Sequence, residues 1–414
     1  MLKPKRTVLI ISADYPPEPG IGSLNVSKIT KYLLRFGWVP VVLTAPLASD
    51  LSVSLPLEIP EEMVHYVPWP DNNPQDRLKD SLLKNLLYLL IGNVGWYFPA
   101  VKRGLELIRE YRPGIIFASS PHHISNLIAH KLSKASGIPW VAHLRDPWTL
   151  DYHFSKMRLT YILGRILERR IFSSASAIIV VSEGFADFYA KISKRPIYVI
   201  HNGYDPEDFS FSKKKDMKNF TIFFAGSIYR GQREVLPLLE AIEELAKEGY
   251  LGKFPLKVRL YLPNDDRAVF ESQIKNYNSV SKYIEIHDWS DHGKVLKEEC
   301  EATYLLLPLE FSCRGWYFYT GKLFEYMGAG RPILCLSPRF NLAAKLIIQR
   351  GIGVVCESKE EVVAFLRKAL KEFYEDGRTV EVPREKIKDF SWSKQVFKIS
   401  KILEKFSENK EGQG

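Results

Sequence analysis

Cysteine is scarce in this sequence of 414 residues, with four side chains at Cys300, Cys313, Cys335 and Cys356. No two of them form a CxxC pair and no histidine cluster accompanies them. The pattern therefore indicates neither a disulfide framework nor a zinc site. Inert thiols in a reducing compartment are the simplest interpretation. We predict a cytoplasmic protein without a bound metal.

Long apolar stretches are also missing. The chain begins Met1-Leu2-Lys3-Pro4-Lys5-Arg6 and passes directly into a predicted strand, so we expect no signal peptide. Residues 85–101 carry no charge, but glycines and Pro99 interrupt them. A buried helix is the default interpretation of this stretch, because it is short for a membrane span. A segment at the membrane interface is the alternative, because aromatic side chains cluster there.

The protein is moderately basic, with a net charge of +10 and an isoelectric point near 9.1. This balance suits acidic small molecules or an anionic lipid surface. We predict no nucleic-acid partner, because no nucleic-acid-binding signature accompanies the charge. Residues 155–172 are predicted to form a helix with Arg158, Arg165 and Arg169 on one face. That face is either solvated or lies on an anionic membrane surface.

Strand and helix patterns alternate along the chain, which predicts an α/β protein with two doubly wound parallel sheets. We predict strands at 7–12, 39–44, 115–118, 140–142, 177–181, 197–200, 220–225, 258–262, 284–286, 302–307, 333–336 and 354–355. Residues 51–80 are predicted to be irregular, and 210–218 to form a polar linker. The predicted domains are 1–208 and 209–390, with a helix at 391–408 and a disordered tail at 409–414.

Residues 319–332 carry the most information. Apolar runs precede and follow them. Thr320 is a plausible N-cap of a short helix, which Gly328, Gly330 and Pro332 stop after about two turns. The first turn of such a helix presents free N–H groups and a positive dipole end, which suit an anion. Lys322 and Glu325 share one face and together suit a diphosphate and a sugar hydroxyl. The alternative is a capped helix with a surface ion pair.

Polar residues follow two predicted strands of the first domain, at the edge where open α/β sheets usually bind ligands. His122 and His123 follow the strand at 115–118, and each is either a phosphate contact or base, or a helix cap. Arg145 and Asp146 follow the strand at 140–142. Asp146 is either a catalytic carboxylate or only the ionic partner of Arg145.

Two glycine-containing loops also follow predicted strands. Gly22 ends a loop that resembles a dinucleotide fingerprint but lacks its third glycine. Gly226 begins a loop that contains Arg230 and Arg233. These arginines are either bidentate phosphate donors or solvated side chains at a helix start.

These motifs resemble the retaining glycosyltransferases of family 4, over nearly the whole chain. The resemblance lies in the loop 16–22, Arg145-Asp146-Pro147-Trp148, Val181-Ser182, the stretch 201–205, Ala225-Gly226-Ser227 and the stretch 322–332. It implies the GT-B fold, in which two Rossmann-like domains face a central cleft and the C-terminal helix packs back on the first domain. It also implies donor-binding roles for Gly22, Gly226, Arg230, Arg233, Thr320, Lys322, Leu323, Phe324 and Glu325.

Within that set, the resemblance implies that an arginine and Lys322 neutralise the donor's diphosphate, with help from the amides of Leu323 and Phe324. Glu325 would accept hydrogen bonds from the ribose. Asp146, beside Arg145, would lie near the reacting sugar, so these two are the candidate catalytic residues. We place His122 and Trp148 on the acceptor side.

The expected reaction moves a hexose from a UDP- or GDP-linked sugar to a glycan or lipid-linked acceptor, with retention and without metal or cofactor. Many family members have a carboxylate where this chain has Tyr317, and a histidine where it has Arg145. These departures leave the donor sugar and the base open. The alternatives are another GT-B enzyme such as a nucleotide-sugar epimerase, or a non-catalytic peripheral membrane binding protein. The expected location is the cytoplasm, with the inner face of the membrane as a further possibility.

Overall fold

The computed structural model describes residues 6–45, 54–68, 94–149, 158–210, 219–229, 233, 235–288, 290–311, 317–377 and 379–408. The strands are β1 (Arg6–Ser12), β2 (Trp38–Thr44), β3 (Val64–Tyr66), β4 (Ile115–Ser120), β5 (Trp140–Leu144), β6 (Ala177–Val180), β7 (Ile197–Val199), β8 (Phe220–Ala225), β9 (Leu256–Tyr261), β10 (Ile284–His287), β11 (Tyr304–Pro308), β12 (Ile333–Leu336) and β13 (Gly353–Cys356).

The helices are α1 (Ile21–Arg35), α2 (Tyr97–Tyr111), α3 (Ile124–Ser136), α4 (Arg158–Phe172), α5 (Glu183–Ala190), α6 (Leu236–Lys247), α7 (Tyr250–Lys253), α8 (Asn264–Ile274), α9 (His292–Glu301), α10 (Gly321–Ala329), α11 (Leu342–Arg350), α12 (Lys359–Glu375) and α13 (Trp392–Ser407). Short 3₁₀ turns lie at Glu61–Met63, Val94–Trp96, Pro206–Phe209, Val280–Tyr283, Arg384–Lys386 and Lys388–Phe390. The chain divides into two compact units, Met1–Asn202 with Trp392–Gly414, and Gly203–Ser391.

The first unit contains a parallel sheet in the order β3-β2-β1-β4-β5-β6-β7. Successive side chains of β1 point to opposite faces of this sheet, and helices cover both faces. Leu9 and Ile11 pack in the core with α2, α3 and α5, whereas Val8 and Ile10 pack with α1 and α13. The C-terminal helix therefore lies on the first sheet, as the sequence predicted.

The second unit contains a parallel sheet in the order β10-β9-β8-β11-β12-β13. Leu306 of β11 faces a core that includes residues of α6 and α12. Leu305 and Leu307 face the other core, together with residues of α9, α10 and α11. Helices α9 and α10 consequently lie on the same face of the sheet, which matters for the site described below.

The predicted strands are present, with shifts of up to two residues in their bounds. Strand β3 lies in a stretch predicted to be irregular, β4 continues through Ser119 and Ser120, and β5 continues through His143 and Leu144. Three predicted segments lie wholly or partly outside the described residues. They are residues 85–93 of the uncharged stretch, 211–218 of the linker and the tail 409–414. In the described part, Trp96 is fully buried in the first core, whereas Phe98 is 78% exposed. Among the described residues, none of the helices combines the length and apolarity that a bilayer span requires.

Candidate active site

Helix α10 forms where residues 319–332 predicted it. It begins after Thr320 and ends at Gly330, whose left-handed φ of 67° suits a glycine C-cap. Thr320 occupies the predicted N-cap position, but its side chain makes no capping hydrogen bond. The amide of Leu323 donates to the Thr320 carbonyl at 3.1 Å. That amide is engaged in the first turn in this structure, whereas the sequence predicted a phosphate donor.

Four side chains from α9 and α10 form an ionic cluster, which we call the lysine cluster: Lys322, Glu325, Glu299 and His292. Lys322 pairs with Glu325 three residues later, and its Nζ lies 3.3 Å from Oε1 of Glu299. The other oxygen of Glu325, Oε2, lies 2.7 Å from Nε2 of His292. The side chain of Lys322 is 20% exposed and that of Glu299 is 0% exposed. The predicted pair is therefore part of a largely buried network, not a surface ion pair.

Burial and charge shift the ionisation of this cluster. Burial opposes the charges on Lys322 and Glu325, but their mutual attraction outweighs it. The pKa of Lys322 is raised and that of Glu325 is lowered, with Glu299 and His292 contributing to the two shifts. Glu299 behaves in the opposite way, because burial and then the charge of Glu325 raise its pKa well above the ordinary value.

The glycine loop after β8 lies beside the lysine cluster. A methyl group at Gly226 would lie 3.7 Å from Cε of Lys322. Asp266, near the start of α8, holds the loop by accepting hydrogen bonds from Ser227 Oγ at 2.5 Å and from the Ile228 amide at 3.0 Å. The loop backbone is therefore fixed next to the Lys322 side chain.

Of the two predicted loop arginines, Arg230 lies outside the described residues. The guanidinium of Arg233 stacks on the Tyr229 ring at 4.4 Å and donates to the Ser227 carbonyl at 3.2 Å. Burial lowers the pKa of Arg233, and the nearby phenol groups of Tyr229 and Tyr326 partly oppose that effect. Arg233 is thus held against the same loop, within electrostatic range of α10.

A second ionic cluster, which we call the aspartate cluster, lies at the carboxyl edge of the first sheet and contains Asp14, His122 and Arg145. Asp14 Oδ1 lies 3.3 Å from Nε2 of His122, and Asp14 Oδ2 lies 3.3 Å from NH2 of Arg145. Arg145 also donates from Nε to the Ser120 carbonyl at 2.8 Å. Gly22 packs against this cluster, since a methyl group there would lie 2.6 Å from Asp14 Oδ2.

The aspartate cluster favours its charged forms. Burial raises the pKa of Asp14, but the hydrogen bond and charge of His122, and then Arg145, outweigh it and lower the pKa overall. The hydrogen bond with Asp14 raises the pKa of His122 in spite of burial. His122 also has a left-handed φ of 65°, a conformation that side chains other than glycine rarely adopt. Such backbone strain is common where function fixes a side chain.

The structure places three further predicted residues of the first unit. Arg145 forms its salt bridge with Asp14, whereas Asp146 is exposed and acts on Arg145 through its charge. Trp148 is 0% exposed and stacks on His123 at 4.6 Å. It belongs to the hydrophobic core and presents no surface to an acceptor. His123 occupies the N-cap position of α3, as one of its two interpretations predicted, although its side chain makes no capping hydrogen bond. Burial lowers its pKa to about 3, so this histidine is neutral.

Sequence reasoning missed Asp14, Asp266, Glu299 and His292. Asp14 follows β1, at the edge where His122 and Arg145 were sought, so the rule for strand ends applied to it as well. His292 and Glu299 are seven residues apart, about two helical turns, and therefore lie on one face of α9. The signal was present for these residues, but nothing in the sequence indicated that α9 lies beside α10.

Residues 62–208 match the model of a protein family described as Glycosyltransferase Family 4. The match includes His122, Arg145 and Asp146, and it ends before the lysine cluster. No curated protein matches the sequence.

Solved structures resemble the whole chain. Sucrose-phosphate synthase from Thermosynechococcus elongatus has a TM-score of 0.67 at 14% identity, covering 97% of this chain and 98% of its own. HepE from Anabaena, in complex with UDP and glucose, has a TM-score of 0.63 at 14% identity, covering 97% and 100%. UDP-GlcNAc 2-epimerase from Methanocaldococcus jannaschii has a TM-score of 0.54 at 10% identity, covering 96% and 98%.

At these identities the likeness concerns the fold, and it confirms the predicted GT-B architecture of two Rossmann-like units. The activity class comes from the family match within the first unit. Taken together, the matched family and the architecture identify the chain as a glycosyltransferase with the GT-B fold.

Proposed function

We propose that the enzyme transfers a hexose from a UDP- or GDP-linked sugar to a glycan or lipid-linked acceptor with retention of configuration. The observation that carries this proposal is the lysine cluster at the start of α10, beside the fixed loop at Gly226. A cation and a carboxylate on one helical face suit a diphosphate and the hydroxyls of a ribose. The HepE structure, which holds UDP and glucose, supports a nucleotide donor.

The chemistry of the donor half follows from charge. When the bond to the diphosphate breaks, negative charge develops on the leaving group. Lys322, the N-terminus of α10 and Arg233 would stabilise that charge, with Arg230 as a further candidate. Side chains would thereby neutralise the diphosphate without a metal. Glu325 would accept hydrogen bonds from the ribose hydroxyls.

The residues of the first unit are proposed to act on the reacting sugar and the acceptor. Arg145 and His122 place positive charge at the carboxyl edge of the first sheet, and Asp14 holds both. We propose that these groups stabilise charge near the reacting sugar and orient the acceptor hydroxyl. The side chain of Asp146 is exposed, and the resemblance implies that it lies near the reacting sugar.

Incubation with UDP-glucose, UDP-galactose, UDP-N-acetylglucosamine and GDP-mannose tests the reaction. We expect one of these donors to be consumed when glycan or lipid-linked acceptors are present, with an α-linked product from an α-linked donor. The rate should be unchanged by EDTA. Absence of transfer from every donor by folded protein, or an inverted product, would contradict the proposal.

The likeness to UDP-GlcNAc 2-epimerase favours one second candidate, a nucleotide-sugar epimerase. An epimerase changes its substrate without any acceptor, so NMR of the nucleotide sugar alone separates the two activities. Nucleotide binding without turnover in either assay would instead favour the non-catalytic binding protein.

Helix α4 supports a membrane-proximal acceptor. Ile162 and Ile166 lie four residues apart on one face of this helix, and both are exposed, at 46% and 60%. Arg169 and Arg170 are exposed in the last turn of the same helix, whereas Glu168 is fully buried. Exposed aliphatic side chains beside arginines suit the interface of an anionic bilayer. We propose that the enzyme binds the inner face of the membrane through this helix.

Co-sedimentation with phosphatidylcholine vesicles, with and without phosphatidylglycerol, tests the membrane contact. We expect binding only to the anionic vesicles, and a loss of about tenfold or more when Ile162 and Ile166 are both changed to serine. Ile348→Ser is the matched control, because Ile348 is 49% exposed on α11 of the second unit. Equal binding by the double variant would contradict the assignment to α4.

A further inference from the structure

Glu299 is a buried carboxyl group that the proposed chemistry does not use. Its side chain is 0% exposed, and its Oε1 lies 3.3 Å from Nζ of Lys322. Its second oxygen, Oε2, is buried without a hydrogen-bond partner among the residues that the structure describes. A buried oxygen of this kind costs free energy, more so when it is charged. Because Glu299 contacts Lys322, the candidate ligand of the diphosphate, this cost calls for a functional explanation.

The lysine cluster contains two acids for one ammonium. Lys322 contacts both Glu299 and Glu325, and Glu325 also contacts His292. Two carboxylates that share one buried cation do not both ionise at low cost. Glu325 has the better partners, since it contacts both Lys322 and His292, so the remaining proton belongs to Glu299. Glu299 and Glu325 also lie within hydrogen-bonding range of each other, so a proton on Glu299 has an acceptor in Glu325.

The groups that face Glu299 agree with this assignment. From α10 these are Lys322, Glu325 and Tyr326, and from its own helix His292 belongs to the same cluster. Burial, and then the charges of Glu299 and Glu325, raise the pKa of the Tyr326 hydroxyl, so this group stays neutral. With Glu299 protonated, Lys322 and Glu325 cancel each other. With Glu299 ionised, these three groups carry a net charge of −1.

We propose that Glu299 is a positioning residue for the anionic part of the donor. In its protonated form it supports Lys322 without adding negative charge, so the ammonium is available to a diphosphate. In its ionised form it holds the ammonium more strongly and repels the diphosphate. This inference rests on the proposed nucleotide-sugar site, and it adds that donor binding depends on one proton at Glu299.

The test is calorimetric titration of UDP-glucose and GDP-mannose from pH 6.0 to 8.5, since the diphosphates of these compounds do not titrate in that range. We expect the affinity of the wild type to fall with rising pH, approaching tenfold per pH unit once Glu299 ionises, because one proton is linked to binding. Glu299→Gln should bind with little pH dependence. At pH 8.5 it should bind more tightly than the wild type.

Glu298→Gln is the matched control, because Glu298 precedes Glu299 on α9 and pairs elsewhere, with Arg259 at 3.0 Å. Its pH dependence should equal that of the wild type. His292→Asn tests the histidine of the cluster. The proposal would be overturned if donor affinity changed with pH equally in the wild type and in Glu299→Gln. It would also be overturned if the pH dependence of donor affinity disappeared only in His292→Asn.

Unfolding without any ligand separates this inference from the proposed function. Because the pKa of Glu299 is raised in the folded state, its stabilising contribution is complete below the unfolded value of about 4.3 and is lost as pH rises. The Tm of Glu299→Gln minus that of the wild type should therefore increase with pH. A constant difference would overturn the role of Glu299. Failure of both nucleotide sugars to bind, with the expected Tm trend, would instead refute the donor proposed for the site.

Discussion

Changing Lys322 to alanine is expected to weaken binding of the nucleotide sugar about a hundredfold and to lower kcat/KM at least as much. Lys322 is the cation of the lysine cluster, and its ammonium lies beside the fixed loop at Gly226. The loss should be larger in kcat/KM than in affinity, because the diphosphate gains charge as it leaves. Calorimetric titration and steady-state kinetics with the active donor measure the two effects.

The control for this variant is Lys345→Ala, since Lys345 is an exposed lysine on α11 of the same unit. It should bind and react as the wild type does. Unchanged donor affinity in Lys322→Ala, with the fold intact, would remove Lys322 from the donor site and with it the main support for the proposed function.

Lys322→Ala also threatens the fold, because it leaves Glu299 and Glu325 buried without their cation. Removing one partner of a buried pair typically costs about 3–5 kcal/mol. A double variant, Lys322→Met with Glu325→Gln, removes the ionised acid together with its cation and should recover much of that stability. If it recovers the Tm but not donor binding, the loss of binding is due to the missing charged pair and not to unfolding.

The architecture could be predicted because parallel sheets leave a strong local signal. Strands buried on both faces appear as continuous apolar runs, and β1, β8 and β11 are of this type. Strand β3 lacks the signal, because it has three residues at the edge of the sheet and only Val64 is buried. An edge strand of this length is defined by its neighbour β2 and not by its own sequence.

The site was predictable only where its residues are close in sequence. Lys322 and Glu325 are three apart on one helix, so their pairing follows from helical geometry. The contact of Lys322 with Glu299 spans 23 residues, and that of Asp14 with Arg145 spans 131. Such contacts depend on the order of strands in the sheet, which places β1 next to β4 and β4 next to β5.

The second large effect is expected for Asp14→Asn, which should lower kcat about a hundredfold while donor affinity changes little. Asp14 holds both His122 and Arg145, so its loss frees two cationic side chains at once. Electrostatic groups aimed at a reacting centre are typically worth about this factor. Asp187→Asn, an exposed aspartate on α5, is the neutral control, and Asp146→Asn measures the catalytic role that the family resemblance implied. A larger loss in Asp146→Asn than in Asp14→Asn would return that role to Asp146.

The pH dependence of unfolding distinguishes this effect from a general loss of packing. The pKa of Asp14 is lowered, so its contribution to stability is present above the unfolded value of about 3.9 and is lost as pH falls through the folded value. The pKa of His122 is raised, so its contribution is complete below about 6.5 and is lost as pH rises through the folded value. Both contributions are present together between about pH 4 and 6.5. The Tm difference between wild type and Asp14→Asn should therefore be largest near pH 5.5 and smaller at pH 9, because the contribution of His122 declines as the pH rises. A difference that does not change between these two pH values would show that Asp14 acts through packing alone, and the proposed role of the aspartate cluster would then be wrong.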